Sequence, residues 1–189
     1  MNHCIAKLWH SRFAGNAFRG FLAGALALAT CGIAAAQLDS DQNLKFKGAI
    51  GVIPVTGVAA NGTVNLNVVR GVNPGAPWRI ADLNAKITPD GHIKVVGRGL
   101  LLATGNGIGT NAGQSVHASL FCGPASTATE QDTNLAGVAL DPDGNFTIDD
   151  YLSPVQPTPC TTPVLLIRNV GGVWFAAGIP KLERDNNAR

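Results

Sequence analysis

Leu83 to Leu101, LNAKITPDGHIKVVGRGLL, holds two alternating runs joined across Pro89-Asp90-Gly91. Before the turn, Leu83, Ala85 and Ile87 sit two apart; after it, Ile93 and Val95 lead into Gly97, Gly99 and Leu101. Each run therefore offers one apolar face at the two-residue period of a strand. Thr88-Pro89-Asp90-Gly91 fits a type I turn: proline presets φ, aspartate suits the next position, and glycine accepts the left-handed conformation that returns the chain as a hairpin. The phrase recurs, since AKITPDGHIKV at 85–95 is echoed by VALDPDGNFTI at 138–148 with Pro-Asp-Gly in register. Two hairpins predict an antiparallel β domain. Two copies with no third indicate shared turn chemistry rather than a repeat array.

Outward from this stretch the chain continues in short strands. Residues 44–55 (LKFKGAIGVIPV) alternate until Pro54, which predicts an edge strand. Asn61-Gly62 is a hairpin signal, followed by a half-exposed strand with Val64, Leu66 and Val68 on one face. Trp78 opens the strand that enters the central hairpin, with a phase break near Ala81-Asp82 that predicts a bulge. The glycines of Gly105-x-Gly107-x-Gly109 are followed by the alternating run SVHASLFC (115–122), not by the helix a dinucleotide fingerprint needs, so they mark a loop. Thr127-x-x-Glu130 has the capping-box pattern and predicts one helical turn; no longer helix is expected after residue 36. Residues 153–163, with four prolines around Cys160, predict an extended surface segment. The continuous apolar runs 164–167 and 173–179 predict strands covered on both faces, hence mid-sheet. Eight or nine strands at this turn spacing fit an antiparallel β-sandwich. A closed β-barrel is the alternative, because strand count and spacing do not separate the two.

The first 36 residues differ in kind. Lys7, Arg12 and Arg19 precede the apolar run 21–36, which ends Ala34-Ala35-Ala36 before Gln37. Basic flank, apolar core and small residues together predict a secretory signal peptide, with the mature chain starting at Gln37. The apolar core, about 16 residues, is shorter than the roughly 20 that span a bilayer, so no membrane span is expected after cleavage. Leu28-Ala29-Thr30-Cys31 resembles the lipobox of bacterial lipoproteins, which implies a lipid anchor on Cys31; Thr30 departs from that motif, which wants Gly, Ala or Ser. The domain plan is thus signal peptide 1–36, one all-β domain 37–180 and a polar tail 181–189. The 14 Lys+Arg and 12 Asp+Glu of the whole chain become 11 against 12 without the signal, a formal net of −1. The mature domain therefore carries no basic excess, and no nucleic-acid partner is expected. Its two cysteines, Cys122 and Cys160, lack metal-site spacing and predict one disulfide in an exported protein, periplasmic or secreted.

Chemistry-bearing residues are few. Asp141, Asp143, Asn145, Asp149 and Asp150 put oxygen ligands close together and form a candidate Ca²⁺ site; Gly144 in fourth place and Leu152 in twelfth rule out an EF-hand, and the alternative is a turn-forming cluster. His92 and His117 are the histidines left after cleavage, too few and too far apart for the usual zinc or copper set. Ser115 and Ser119 flank His117 at i±2, the spacing at which a nucleophile and a base can meet, though no Gly-x-Ser-x-Gly elbow is present. Trp78, beside a Pro-Gly loop, is the candidate aromatic platform for a carbohydrate, with edge packing as the alternative. Trp174 lies in an apolar run and reads as core. Asn106, Asn111 and His117 complete a candidate binding surface, and Asn61 and Asn145 match the N-glycosylation pattern. No cofactor is expected unless the acidic cluster holds Ca²⁺. The expected function is that of an exported, non-enzymatic module that binds, adheres or supports structure at the cell envelope or outside, its partner an extracellular or envelope macromolecule. The alternatives are a metal-binding or Ser/His-type enzyme and a small-molecule carrier.

Overall fold

The computed structural model describes residues 43–181. The expected signal peptide with Cys31, the start at Gln37 and most of the polar tail lie outside the described residues. In chain order the strands are β1 (Leu44–Gly51), β2 (Val55–Val58), β3 (Val64–Leu66), β4 (Trp78–Arg79), β5 (Asp82–Ile87), β6 (His92–Arg98) and β7 (Leu101–Leu102). They continue as β8 (Ser115–Cys122), β9 (Thr129–Asp132), β10 (Val138–Ala139), β11 (Phe146–Tyr151), β12 (Val164–Asn169) and β13 (Trp174–Pro180). The one helical element among the described residues is a 3-10 turn at Gly105–Gly107. No described helix is long and apolar enough to cross a membrane.

The all-β, antiparallel expectation holds. Nine strands form one sheet in the order β10-β8-β12-β13-β1-β5-β6-β11, with β9 also on β8. The sheet is nearly closed, barrel-like rather than split into two stacked layers, and the second Pro-Asp-Gly hairpin explains how. Its first arm, β10, pairs with β8 at one end of the sheet, and its second arm, β11, pairs with β6 at the other. Asp141 N donates to Asn145 O across that turn at 3.0 Å, so a local turn joins the two ends. The first hairpin, β5–β6, is internal to the sheet and runs in register from Asp82↔Arg98 to Ile87↔Ile93.

Inside lie Phe46, Leu83, Ile87, Ile93, Leu120 and Leu165 with their neighbours, in a continuous buried cluster. Gly97 is needed there: a Cβ on it would stand 2.1 Å from the ring of Phe146, which lies over it from the next strand. Gly144 is held as tightly, since Leu100 N donates to its carbonyl at 2.9 Å and a Cβ would meet Leu100 O at 2.4 Å. Cys122 ends β8 and bonds to Cys160 across 38 residues, with Cα atoms 5.0 Å apart. Closing such a loop stabilises by about 4 kcal/mol on the chain-entropy model. The Pro-rich segment is tied down a second time, because Gln156 Nε2 donates to Thr88 O at 2.7 Å beneath the first hairpin turn.

Three expectations are corrected. β1 is internal, paired to β13 on one side and β5 on the other; Pro54 lies beyond its end and does not interrupt either ladder. The strand after Asn61-Gly62 is not half-buried: β2 and β3 form a separate two-stranded ribbon, with Val64 and Leu66 each 51 % exposed. Glu130 starts no helical turn. It sits in β9, whose register on β8 places Glu130 opposite Phe121. The apolar runs near the C-terminus are mid-sheet as read, with β12 between β8 and β13, and β13 between β12 and β1. The phase break near Ala81 is where β4, paired with β7, gives way to β5.

Candidate functional site

Strand register builds the most distinctive surface of the molecule. Lys45, Lys86 and Lys94 stand directly opposite one another on β1, β5 and β6, and the row ends at Asp149 on β11. Two residues along, a second row runs Lys47, Asn84, Val96, Thr147. Both rows face outward because they alternate with the buried Phe46, Ala85, Ile93 and Val95. Lys181 N donates to Lys45 O at 2.8 Å, which brings a fifth lysine to the same place. Together with His92 these lysines line a groove of about 500 Å³, and they are all the lysines of residues 43–181.

Its electrostatics are one-sided. Asp149 Oδ1 lies 2.7 Å from His92 Nε2, and its Oδ2 lies 3.1 Å from Lys94 Nζ. The hydrogen bond from His92, then that from Lys94, holds the Asp149 carboxyl below the usual carboxylate range. Among the described residues, Lys47 and Lys86 have no ion-pair partner. Like charges directly opposite on neighbouring strands repel. Between exposed, salt-screened ammonium groups on flexible stems the cost is about 0.2 kcal/mol per pair, a tension that a bound anion would relieve.

Lys45, Lys47, Lys86 and Lys94 stand on the outward phase of runs that alternate as strands, which is the signal that was there to find, whereas Lys181 falls in the polar tail. The pairing of β1 with β5, about 40 residues apart, is what turns them into a row. A net charge near zero concealed the patch, since charge distribution and not its sum sets the local field.

A second polar cluster lies on the outer side of the same sheet but is covered. Arg168 Nη1 donates to Ser119 Oγ at 3.0 Å and to Glu130 Oε1, and its Nε donates to Gly172 O at 3.0 Å. Ser119 donates to Asp132 Oδ1, which lies 3.7 Å from Arg168 Nη1. His117, opposite Arg168 in register, is 2 % exposed, and neither ring nitrogen has a hydrogen-bond partner among the described residues. Burial, aided by the Arg168 charge, pushes its pKa down from 6.5, so it is neutral at pH 7. Ser119 is thus engaged with a carboxylate and a guanidinium, not with His117. The two share a face without forming a nucleophile–base pair.

The remaining candidates are dispersed. Trp78 is no exposed platform: it is 4 % exposed and stacks on Phe175 with ring centroids 4.2 Å apart. Trp174 is buried as expected and donates from Nε1 to Asn67 O. Asn106 lies exposed in the 3-10 turn. Asn111 is an anchor, its Nδ2 donating to Leu140 O and Asp141 O at 3.0 and 2.9 Å. The acidic residues do not converge. Asp141 accepts the backbone N–H groups of Asp143 and Asn145 and the Asn145 amide, which holds its carboxyl below the usual range and ties the turn. Asp149 and Asp150 are consecutive in a strand and so point to opposite sides, Asp150 accepting from Asn134 N and Tyr151 N. Among the described residues no group of three or more His, Cys, Asp or Glu side chains gathers as a metal site would require.

Fold and surface together define a class: a disulfide-bonded, nearly closed antiparallel β-sheet module with a lysine-lined groove on its outer face. Comparison with protein-family models, with known proteins and with solved structures finds no match, so the groove is read from its own geometry.

Proposed function

We propose that the chain is a non-enzymatic binding module, exported to the cell envelope or beyond, whose working surface is the lysine-lined groove and whose partner is anionic. The observation that carries this is the convergence of Lys45, Lys47, Lys86, Lys94 and Lys181 on one face while the domain as a whole has no basic excess. A sheet that places three lysines in direct cross-strand register bears repulsion between them, and Lys86, at the centre of the row, has no ion-pair partner among the described residues to offset it. Such groupings serve to attract and hold negative charge. The disulfide supports an oxidising compartment. The alternatives draw less support. A carrier needs a hollow interior, and the inward faces here meet in a filled core. A Ser/His enzyme needs a hydroxyl aimed at a base, and Ser119 is committed to Asp132 and Arg168.

The test is equilibrium binding to dextran sulfate and to neutral dextran over a range of salt, for the wild type and the triple variant K47Q/K86Q/K94Q. Wild type should bind the sulfated polymer alone, with affinity falling as salt rises, and the triple variant should lose about tenfold or more. Equal binding by wild type and variant at low salt would remove the groove from consideration.

A further inference from the structure

Resting on the groove as the ligand surface, we infer that its ligand is a linear acidic polysaccharide laid across β1, β5 and β6, roughly at right angles to the strands. Neighbouring strands stand about 4.8 Å apart, so the side chains of Lys45, Lys86 and Lys94 leave the sheet at that repeat, and their flexible stems let the ammonium groups adjust around it. A polymer bearing one carboxylate per sugar ring repeats its charge on the same scale, one ring to one strand.

The second row supplies what the other side of such a polymer needs. Beyond Lys47 it offers the Asn84 carbonyl, the low apolar surface of Val96 and the Thr147 hydroxyl, groups that suit ring hydroxyls and ring faces rather than more charge. Asn84 donates its own amide to Asp82 at 3.0 Å, which fixes its orientation and leaves the oxygen as acceptor. Asp149 closes the charged row at β11, so the anionic footprint is three strands wide and extends at its other end towards Lys181.

Other polyanions fit less well. The groove is lined by lysine without arginine, tryptophan or tyrosine; of the two aromatic rings in its lining, Phe46 is buried, and the His92 imidazole is tied to Asp149 and packs tilted against Tyr151. It thus lacks the stacking platforms on which single-stranded nucleic acid is held. An acidic peptide adds to a sheet by pairing with a free edge, and β1, β5 and β6 are each paired on both sides. An anionic bilayer presents a plane, whereas the lysines line a concavity.

The experiment is a titration of the full protein, by calorimetry at low salt, with galacturonic acid oligomers of one to eight rings. Beside them run a single-stranded oligothymidylate of matched charge and phosphatidylglycerol vesicles. The monomer should show no heat, affinity should climb steeply between two and four rings, and it should level off once three strands are covered. Lys86→Gln, at the centre of the row, should weaken the four-ring oligomer about tenfold, and Lys86→Arg should restore it. Asp149→Asn, which frees Lys94 and His92, should tighten binding a few-fold. Affinity independent of ring number, or binding to oligothymidylate or vesicles in preference to the glycan, would overturn the polysaccharide and leave the anion-binding groove standing. Failure of every polyanion to bind, or indifference to Lys86→Gln, would overturn both.

Discussion

Arg168 on β12 and Lys86 on β5 project from the outer side of the same sheet, and their surroundings are opposite. Arg168 is 15 % exposed and its guanidinium donors are taken by Ser119, Glu130 and Gly172, with Asp132 close by. Lys86 is exposed and has a lysine opposite it on each neighbouring strand. In one group the charges answer one another: the Arg168 guanidinium meets Glu130 and Asp132, and Ser119 bridges Arg168 to Asp132, which is how proteins make buried polarity tolerable. The neutral His117 beside them is the one member whose ring nitrogens have no partner among the described residues. In the other group, Lys47 and Lys86 have no ion-pair partner among the described residues, and both carry the same sign. Polar groups that satisfy one another hold a fold together, whereas those that do not are available to something outside.

The contrast can be broken most sharply at Arg168. Arg168→Met keeps the length and removes the charge, leaving the buried Ser119 and the half-buried Asp132 without it, and since Glu130 is open to solvent the loss should be about 2 kcal/mol. The urea midpoint, with the slope unchanged, reads this directly. A loss under about 0.5 kcal/mol would show that the cluster is ornament and not support. Anion binding should be unaffected, since Arg168 does not line the groove.

Ser119→Ala is the smaller form of the same test. The hydroxyl links Arg168 to Asp132, accepting from one and donating to the other, so removing it deprives two charged groups of a partner each. About 1–2 kcal/mol should be lost, again with the groove intact. If Ser119 were a nucleophile, its replacement would cost an activity and not stability.

The covered cluster and the lysine groove were unequally hidden in the sequence. The two Pro-Asp-Gly turns were legible because a turn is local: four residues carry all the chemistry that decides it. The paired apolar runs near the C-terminus were legible for a similar reason, as three consecutive buried residues, Leu165, Leu166 and Ile167, advertise cover on both faces. The edge assignment of β1 failed because Pro54 speaks only for its own position, and the strand had already ended at Gly51. Glu130 was misplaced because the capping-box pattern is indifferent to whether a sheet edge waits nearby; β8 offered one, and pairing prevailed over a single helical turn. Trp78 reads as platform or packing residue because the Pro-Gly loop before it suggests exposure, and Phe175, nearly a hundred residues on, stacks over it and decides for packing. The lysine row required the same kind of long-range fact. Period-two spacing places Lys45, Lys86 and Lys94 on outward faces, but only the register of β5 against both β1 and β6 places them side by side.

Acid separates the two clusters by window. His117 has its pKa lowered by burial, so the unfolded state takes up its proton first: stability is complete above about 6.5 and falls as pH drops from there towards the folded value. The groups facing it, Arg168 and Asp132, act in opposite directions, Arg168 adding to the lowering and Asp132 opposing it. At the end of the lysine row, Asp149 is a depressed carboxylate. Its contribution is present above about 3.8 and is lost as pH falls through its folded value, with Asp141 contributing in the same window. Thermal melts from pH 7 to 2 should therefore show two limbs. His117→Phe should flatten the one that begins below about pH 6.5, and Asp149→Asn should make the one below about pH 3.8 shallower without abolishing it. A single limb insensitive to His117 would mean that the buried cluster opens to solvent before it protonates.

The smallest expected effect on stability is the most discriminating. If the lysines of the groove were structural, Lys86→Gln would destabilise as Ser119→Ala does. On the present geometry the substitution removes a charge that faces Lys45 and Lys94 and no partner among the described residues, so the free energy of unfolding should change by at most about 0.5 kcal/mol, and towards greater stability. The gain should shrink as salt is added, because the repulsion relieved lies between exposed charges within a Debye length of each other. A variant slightly more stable than the wild type but weaker for polyanions would place Lys86 among residues kept for binding at the expense of the fold, the opposite of Arg168. A loss of 1 kcal/mol or more would instead mean that Lys86 supports its neighbours through its aliphatic stem, and the row would then need to be tested at Lys94, whose partner Asp149 is half-exposed and contributes little to stability.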